Sequence, residues 1–247
     1  MEILLVISRL LDYPEEWLHE GEVELCDAIW RSPLSRETKE RMQSFVWKQL
    51  DRDILDIQSE YDGLFERGRS LGLWLFEHVH GESRDRGQAM VDLMNQYREA
   101  GLEISQHELP DYIPLFLEFI STQGEANALS WLQEVEHILA LLQARLEKRE
   151  SHYSVLLEAL LELAGSEVNL SELREKVSTE KRDDSKEALD KEWEEEEVKF
   201  GAESTEGCTN TNKPSESQRA DLDIPVHWVD FNNQNASDPA QTGERES

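Results

Sequence analysis

The chain has 247 residues, of which 54 are acidic and 25 are basic, so its formal net charge is −29 at pH 7. This excess of negative charge argues against direct binding of nucleic acid, because neutralising phosphates takes a basic surface. The longest apolar runs, such as Ile3–Ile7, have five residues, whereas a membrane span needs about 20, so we expect no direct insertion into a membrane.

The N-terminus and the cysteines favour a cytoplasmic location. Glu2 follows Met1 directly, without the basic residues that open a secretory signal. The two cysteines, Cys26 and Cys208, are too few and too distant in sequence for a disulfide framework or a cysteine-based zinc site. A reducing cytosol is the compartment that fits these observations.

The first half of the chain has the periodicity of amphipathic helices, with apolar residues every three or four positions and no alternating strand pattern. Pro14 and Pro33 separate the first helices, and Ser35 opens Ser-Arg-Glu-Thr, a typical helix start. The next helical face consists of Ile54, Ile57, Tyr61, Leu64 and Phe65.

The same periodicity continues to about residue 200. Gly101 stands where a glycine ends a helix, and Pro110 and Pro114 bracket the start of another. The apolar faces lie at 89–100, 115–120, 129–146 and 152–164, the last apolar nearly all round and therefore a central buried helix. We predict an all-α fold, a single compact helical domain of about nine to ten helices over residues 1–200.

The composition changes near residue 200. Residues 201–247 are rich in Ser, Thr, Asn, Glu, Pro and Gly and show no sustained period. Such a segment cannot bury enough apolar area to offset its chain entropy, so we predict a disordered acidic C-terminal tail. One apolar island, IPVHWVDF at 224–231, is a docking motif, a segment that folds back, or an unstructured patch, and composition favours the last.

The most unusual chemistry lies between residues 77 and 86. A metal site formed by His78, His80 and a carboxylate is disfavoured on a continuous helix, because positions i and i+2 point about 200° apart. A second interpretation is a corner between two helices that binds an anionic group or a partner's backbone. A third is a corner whose charged side chains pair with one another, and the residues alone favour this third interpretation. The ionisable side chains of this segment are Glu77, His78, His80, Glu82, Arg84, Asp85 and Arg86.

Other motifs offer little for catalysis. Asp111 follows Pro110 ahead of an apolar run, which is typical of an ordinary helix N-terminal cap. No nucleophile elbow, phosphate-binding glycine loop or paired-cysteine redox motif occurs in the sequence. We therefore do not predict an enzyme.

Six segments of the chain have distinctive sequences, and the longest is LFEHVHGESRDRGQAMVDL at 75–93. The others are SRLLDYP at 8–14, YDGLFERGR at 61–69, ELPD at 108–111, ILALLQARL at 138–146 and WEEEEVKF at 193–200. These segments closely resemble the nitrate reductase molybdenum cofactor assembly chaperones, the NarJ family. The resemblance covers about residues 1–200 and does not extend into the tail.

The resemblance implies an all-helical chaperone, related to TorD and DmsD, that is not an enzyme. Such a chaperone binds the apo catalytic (α) subunit of respiratory nitrate reductase and recognises its N-terminal segment. It keeps that subunit competent for insertion of the molybdenum cofactor (molybdopterin guanine dinucleotide) before membrane attachment. It binds no cofactor stably and is not a component of the final enzyme.

The resemblance also gives the candidate site. Pro110 and Asp111 match the family's hinge between two helices, but the chain has Tyr112 where relatives often have histidine, so an imidazole role there is in doubt. The candidate partner-binding residues are Tyr61, Leu64, Phe65, Phe76, His78, His80, Glu82, Arg84, Asp85, Arg86, Pro110 and Asp111. Candidate walls of a client groove are the apolar faces around Leu73–Phe76 and Leu115–Phe119.

Charge bears on the choice of client. Residues 1–182 hold 36 acidic and 19 basic residues, and residues 183–247 hold 18 and 6, so the helical region is itself acidic and would attract a basic client segment. The alternative from another class is a metal-dependent hydrolase or sensor using His78, His80 and Glu82. A third interpretation is an acidic scaffold without a specific client.

Overall fold

The structure, a computed structural model, describes residues 1–80, 84–105 and 108–191, without the side chains of His19, His80 and Arg84. Within these ranges the regular structure is helical, and the sole β-type pairing is an isolated bridge between Trp74 and Tyr112. The all-α prediction is therefore confirmed. The predicted disordered tail, residues 201–247, lies outside the described residues.

The described helices follow one another with short connections. A π-helical turn, Asp62–Glu66, continues the fifth of them, and residues 186–191 are also helical. The eleven bounded helices exceed the predicted nine to ten because a short second helix is separated from the third at Gly21. They are α1 Glu2–Leu11, α2 Trp17–Glu20, α3 Glu22–Arg31, α4 Arg36–Leu50, α5 Ile54–Tyr61, α6 Leu75–His80, α7 Arg84–Glu99, α8 Ile113–Thr122, α9 Glu125–Lys148, α10 Ser154–Ala164 and α11 Leu170–Ser178.

Local signals account for several of these helix ends. The Ser35 hydroxyl accepts a hydrogen bond from the Thr38 N–H and caps α4. Pro114 occupies the first turn of α8, where its missing N–H costs nothing. Gly101 follows α7 with φ +80°, a conformation that glycine adopts without strain. None of the helices among the described residues is long and apolar enough to span a bilayer.

Helix α10 forms the centre of the core, as its all-round apolar sequence predicted. Eight of its eleven residues are buried, and it packs chiefly on α9 and also contacts α4 and α1. An aromatic cluster extends this core, with Tyr153 stacked edge-on against both Phe45 and Phe65 at 5.0 and 5.2 Å between ring centroids. Such pairs contribute about 0.5–1.5 kcal/mol each beyond their buried area, and they fix α10 against α4 and the π-helical turn.

The segment after α11 returns across the C-terminal end of α9, and we call its carboxylates Glu180, Asp183 and Asp184 the acidic strap. Glu180 accepts two hydrogen bonds from Arg145, and Asp183 accepts from the Ser70 N–H and hydroxyl. These contacts hold the turn around Ser70 against the end of α9.

Candidate functional site

Helix α6 begins where two distant segments of the chain meet, Leu73–Phe76 and Pro110–Ile113, which we call the junction. The Leu75 N–H donates to the Asp111 carbonyl at 2.9 Å, and the Ile113 N–H donates to the Leu73 carbonyl at 2.8 Å. The predicted hinge residues Pro110 and Asp111 thus lie between α7 and α8, and they also fix the start of α6.

The Asp111 side chain caps α6 across the junction. It has no exposed surface, and its Oδ2 accepts a hydrogen bond from the Phe76 N–H at 3.2 Å. The sequence predicted this cap for the helix that follows Asp111, and that prediction is wrong, because the carboxylate caps α6, 35 residues earlier in the chain. Helix α8 begins at Ile113, and its N-cap residue, Tyr112, accepts no side-chain capping hydrogen bond.

Arg86 provides the nearest positive charge to this buried carboxylate. Its Nη2 lies 3.8 Å from Asp111 Oδ2, and the buried atoms Arg86 Nε and Asp111 Oδ1 have no hydrogen-bond partner. Burial raises the pKa of Asp111, because the Phe76 N–H and Arg86 compensate its desolvation only in part. The pair is consequently close but incomplete, with one donor and one acceptor unused.

Four aromatic side chains lie beside the junction, and we call Tyr13, Tyr61, Trp74 and Tyr112 the aromatic patch. Trp74 and Tyr112 have ring centroids 5.9 Å apart, and Tyr13 packs edge-on against Tyr61 at 5.5 Å. Tyr61 is buried, Trp74 and Tyr112 are half-buried, and Tyr13 is 41% exposed. The patch is thus a partly exposed aromatic surface that packs on the buried side chain of Tyr61.

A chain of hydroxyl groups ties this patch to the end of α1. Tyr112 donates to Asp12 Oδ1 at 3.0 Å, and its oxygen lies 3.1 Å from the Tyr61 hydroxyl, which also lies 3.0 Å from the Leu11 carbonyl. The Tyr61 proton can serve either of its two acceptors, because each hydroxyl carries one proton. The network links α1, α5 and the junction, and it runs from the buried Tyr61 hydroxyl to the exposed Asp12 carboxylate.

Acidic side chains surround the patch. Burial is the main cause of the raised pKa of Tyr61 and of Tyr112, and the carboxylates of Asp12 and Glu66 raise both further. Burial, with the neighbouring Asp62, also raises the pKa of Glu66. Negative charge beside exposed aromatic rings suits a segment with both basic and apolar side chains, since a cation over an aromatic face adds attraction.

The candidate residues occupy different depths in the structure. Glu82 and the side chains of His80 and Arg84 lie outside the described part of the chain. The buried candidates are Tyr61, Phe65, Pro110 and Asp111, the half-buried ones are Leu64, Phe76, His78 and Arg86, and Asp85 is exposed. Direct partner contact by any of them stays a prediction.

Two of the buried candidates belong to the aromatic core. Tyr61 and Phe65 each have only 1% exposure, and both pack against Tyr153. Their position supports the surface from within, which leaves Leu64 as the member of that face nearest to solvent. The predicted helical face therefore exists, but among Tyr61, Leu64 and Phe65 it leaves just Leu64 partly exposed for a partner.

The predicted groove walls are largely core residues. Leu73 and Leu75 are 2% exposed, and Phe116–Ile120 are buried except for Glu118. Trp74, Phe76 and Leu115 are the half-buried members of the two faces that a partner could reach without rearrangement. A groove between these two faces stays a prediction, and the aromatic patch is the more accessible surface.

His78 contributes to a cleft on the other side of α6. Its Nε2 is 2.7 Å from the Gly72 carbonyl, and burial lowers its pKa, so the neutral ring donates to that oxygen. We call the opening of about 380 Å³ beside it the arginine cleft, lined by Arg69, Ser70, Glu77, His78, Arg86, Leu141 and Arg145. In the described part of the chain, no group of three His, Cys, Asp or Glu side chains is arranged to hold a metal ion.

The predicted groove wall Leu73–Phe76 included Trp74, but sequence reasoning missed three other residues of this surface: Asp12, Tyr13 and Tyr112. A signal for the first two was present, because both lie in SRLLDYP, one of the segments that carry the resemblance. Tyr112 drew attention only as a departure from histidine, and the structure makes it the centre of the hydroxyl network.

The all-helical fold brings separate segments of the chain together at an aromatic surface beside carboxylates, which is an arrangement suited to binding a partner. Comparison with known families then identifies the family: a model of the nitrate reductase delta subunit matches residues 32–159. The chain belongs to this family.

Relatives of known name cover most of the chain. The nitrate reductase molybdenum cofactor assembly chaperone NarJ of Escherichia coli (strain K12) is 47% identical over 206 residues, 83% of this chain and 86% of the relative. The "Probable nitrate reductase molybdenum cofactor assembly chaperone NarW" of the same strain is 42% identical over 94% of this chain and 97% of its own length. A Bacillus subtilis (strain 168) protein, also named as a probable chaperone NarJ, is 31% identical over 63% of this chain and 84% of its own length.

Proposed function

We propose that this protein is a system-specific chaperone that assists insertion of the molybdenum cofactor into the catalytic subunit of a respiratory nitrate reductase. Its family and the names of relatives that are 47% and 42% identical over 83% and 94% of the chain support this role. The protein acts as a binding partner, not as an enzyme, and works in the cytoplasm. It leaves the client before the mature enzyme attaches to the membrane.

The client is the α subunit in its apo form, and the recognised part is its N-terminal segment. The observation that carries this proposal is the meeting of separate segments of the resemblance at one surface. SRLLDYP supplies Asp12 and Tyr13, YDGLFERGR supplies Tyr61, and the residue after ELPD, Tyr112, joins them. Asp111 then fixes the start of the longest segment, at α6.

The physics of this surface selects a basic amphipathic client segment. Aromatic rings supply most of the contact energy in interfaces of this kind, and Tyr13 and Trp74 are placed to do so. The carboxylates of Asp12 and Glu66 complement basic side chains and raise the association rate more than the affinity. The affinity therefore rests chiefly on the rings, and the association rate on the charges.

The cofactor is the client's and is not held stably by the chaperone. A chaperone that binds the apo subunit favours the conformation competent for insertion, because a ligand shifts an equilibrium towards the state that it binds more tightly. Insertion of the cofactor changes the client and ends that preference. Release before membrane attachment follows from the same difference in affinity.

Calorimetry with a synthetic peptide of the α-subunit N-terminal segment tests the surface. We expect Tyr13→Ala to weaken binding to the full-length chain about tenfold or more, as truncation of an aromatic contact costs over 1 kcal/mol. Trp30→Ala is the matched control, because Trp30 is 42% exposed against 41% for Tyr13 and lies on α3. Equal effects of the two substitutions, or none from Tyr13→Ala, would place the client elsewhere.

A second experiment tests the state of the client. Co-purification of the chaperone with α subunit produced without molybdenum cofactor is expected to recover the complex. The same subunit after cofactor insertion is expected to be recovered much less. Equal recovery from both preparations contradicts selective binding of the apo form, whatever the peptide titrations show.

A further inference from the structure

The arginine cleft is a second candidate site. Three guanidinium groups, of Arg69, Arg86 and Arg145, face an opening of about 380 Å³ between the turn at Ser70, α6, α7 and α9. One carboxylate, Glu77, is also part of its lining. A concentration of arginines is unexpected on a chain whose acidic residues outnumber its basic ones by more than two to one.

Two of these arginines are positioned by contacts with residues that do not line the cleft or with backbone carbonyls. Arg145 donates to both carboxylate oxygens of Glu180 at 2.9 and 3.0 Å and to the Ser70 carbonyl at 2.9 Å, which leaves two of its five N–H groups uncommitted. Arg86 lies 3.8 Å from Asp111, and its buried Nε has no partner. The cleft thus has fixed positive groups with donor capacity left over.

Neutral groups complete the lining. The His78 ring donates its Nε2–H to Gly72, and the Arg145 charge adds to the burial that lowers its pKa. Ser70 and Leu141 form the remaining wall. Because these side chains bring no negative charge, Glu77 is the carboxylate that an entering anion would meet inside the cleft.

We propose that the arginine cleft binds a phosphorylated small molecule through the oxygens of a diphosphate group. Arginine is suited to this role because its N–H donors match phosphate oxygens, and the donors left over on two separate guanidinium groups suit a ligand with two linked phosphates. The volume is at the lower end of the range for small-molecule sites, about 300–1,000 Å³, and exceeds what a single carboxylate would fill.

This site extends the proposed function. The aromatic patch is centred on Tyr13 and Tyr112, whereas the diphosphate contacts are Arg86 and Arg145, so each site has its own residues. Helix α6 borders both sites: Trp74 of the aromatic patch directly precedes its first residue, and His78 of the arginine cleft lies within it. The two sites are tested by different ligands on the same protein.

Calorimetry with sodium pyrophosphate on the full-length chain is the first test. We expect saturable binding that weakens with added salt, and at least about tenfold weaker binding by Arg86→Gln, because hydrogen bonds to charged groups are the strong ones. Arg98→Gln is the matched control, since Arg98 is an exposed arginine of the same helix whose guanidinium donates to its helix neighbours Asn95 and Met94 and does not line the cleft. ADP and acetate distinguish a nucleotide diphosphate and a simple carboxylate from free pyrophosphate.

Nuclear magnetic resonance supplies a readout that does not depend on the stability of a variant. The Arg86 Nε–H signal of the wild-type chain, assigned by its loss in Arg86→Gln, is expected to shift on addition of pyrophosphate while that of Arg98 does not. No saturable pyrophosphate binding, equal weakening by both substitutions, or an unmoved Arg86 signal overturns the proposal. Peptide binding by the same variants reports separately on the aromatic patch.

Discussion

Replacement of Asp111 tests how the junction holds α6 in place. Asp111→Ala removes the acceptor of the Phe76 N–H and the charge nearest to Arg86, whereas Asp111→Asn keeps an acceptor of the same shape and removes only the charge. The structure predicts that these two substitutions differ. Alanine should destabilise the protein and loosen the first turn of α6, and asparagine should do much less.

The magnitude follows from the contacts. Loss of a helix N-cap costs about 1 kcal/mol, and a buried N–H left without a partner costs about 1–3 kcal/mol. Both costs describe the loss of the same hydrogen bond to the Phe76 N–H, so they are not added. The buried carboxylate itself is under-compensated, because its Oδ1 has no partner and its pKa is raised, so removing the charge returns part of this loss. We expect Asp111→Ala to cost about 2 kcal/mol and Asp111→Asn less than about 1 kcal/mol.

The pH dependence has a definite sign. A carboxyl group whose pKa is higher in the folded than in the unfolded state lowers the free energy of unfolding as pH rises from the unfolded value, 3.8, through the folded value. The stability of the wild type relative to Asp111→Asn should therefore be greatest at low pH and fall towards neutrality. Comparing the two proteins at each pH cancels the titration of the other acidic residues.

Chemical denaturation of both variants and hydrogen exchange over Leu75–Val79 are the measurements. Asp111→Ala should raise the exchange rate of the Phe76 amide selectively, and Asp111→Asn should leave it near the wild-type rate. If asparagine is as damaging as alanine, the charge pairing with Arg86 outweighs the cap and our account of the junction is wrong. An unchanged amide in both variants would refute the cap directly.

Three further predictions concern stability. Gly87→Ala should stabilise the protein by about 0.5–1 kcal/mol in thermal denaturation, because Gly87 is inside α7 and a Cβ there meets no atom within 4 Å. Gly68→Ala should destabilise it by about 1 kcal/mol or more, because Gly68 has φ +85° and a Cβ would lie 2.7 Å from the Asp183 carboxyl carbon. Asp184→Asn should destabilise it at pH 7, with a gap that closes below pH 3.8, because hydrogen bonds from Arg182 hold the pKa of Asp184 below its usual range.

Local sequence signals were sufficient for most of the helices. The cap at Ser35, the glycine stop at Gly101 and the proline in the first turn of α8 act within four residues of the helix ends that they set. The buried helix α10 was equally evident from its composition. What these signals could not resolve was the short helix α2, since four residues carry too little periodicity to be recognised.

The candidate site was only partly predictable because its geometry depends on contacts between distant residues. Nothing near Asp111 in sequence indicates that its carboxylate caps a helix 35 residues earlier. The contact between Tyr112 and Asp12 spans 100 residues. The resemblance marked several of these residues as a group, but only the fold shows that some face solvent while Tyr61 and Phe65 belong to the core.

The net charge of −29 acquires a different meaning once the side chains are placed. Charges on a protein surface act over roughly 8 Å at physiological ionic strength, so the overall excess of acid chiefly affects the approach of a basic client. At contact distance the nearest charged groups determine which sign of ligand is attracted. Asp12 and Glu66 lie by the aromatic patch, and Arg86 and Arg145 line the cleft. An acidic chain can therefore present carboxylates to a cationic peptide and arginines to an anion, because at contact distance the nearest charges outweigh the more distant, screened ones.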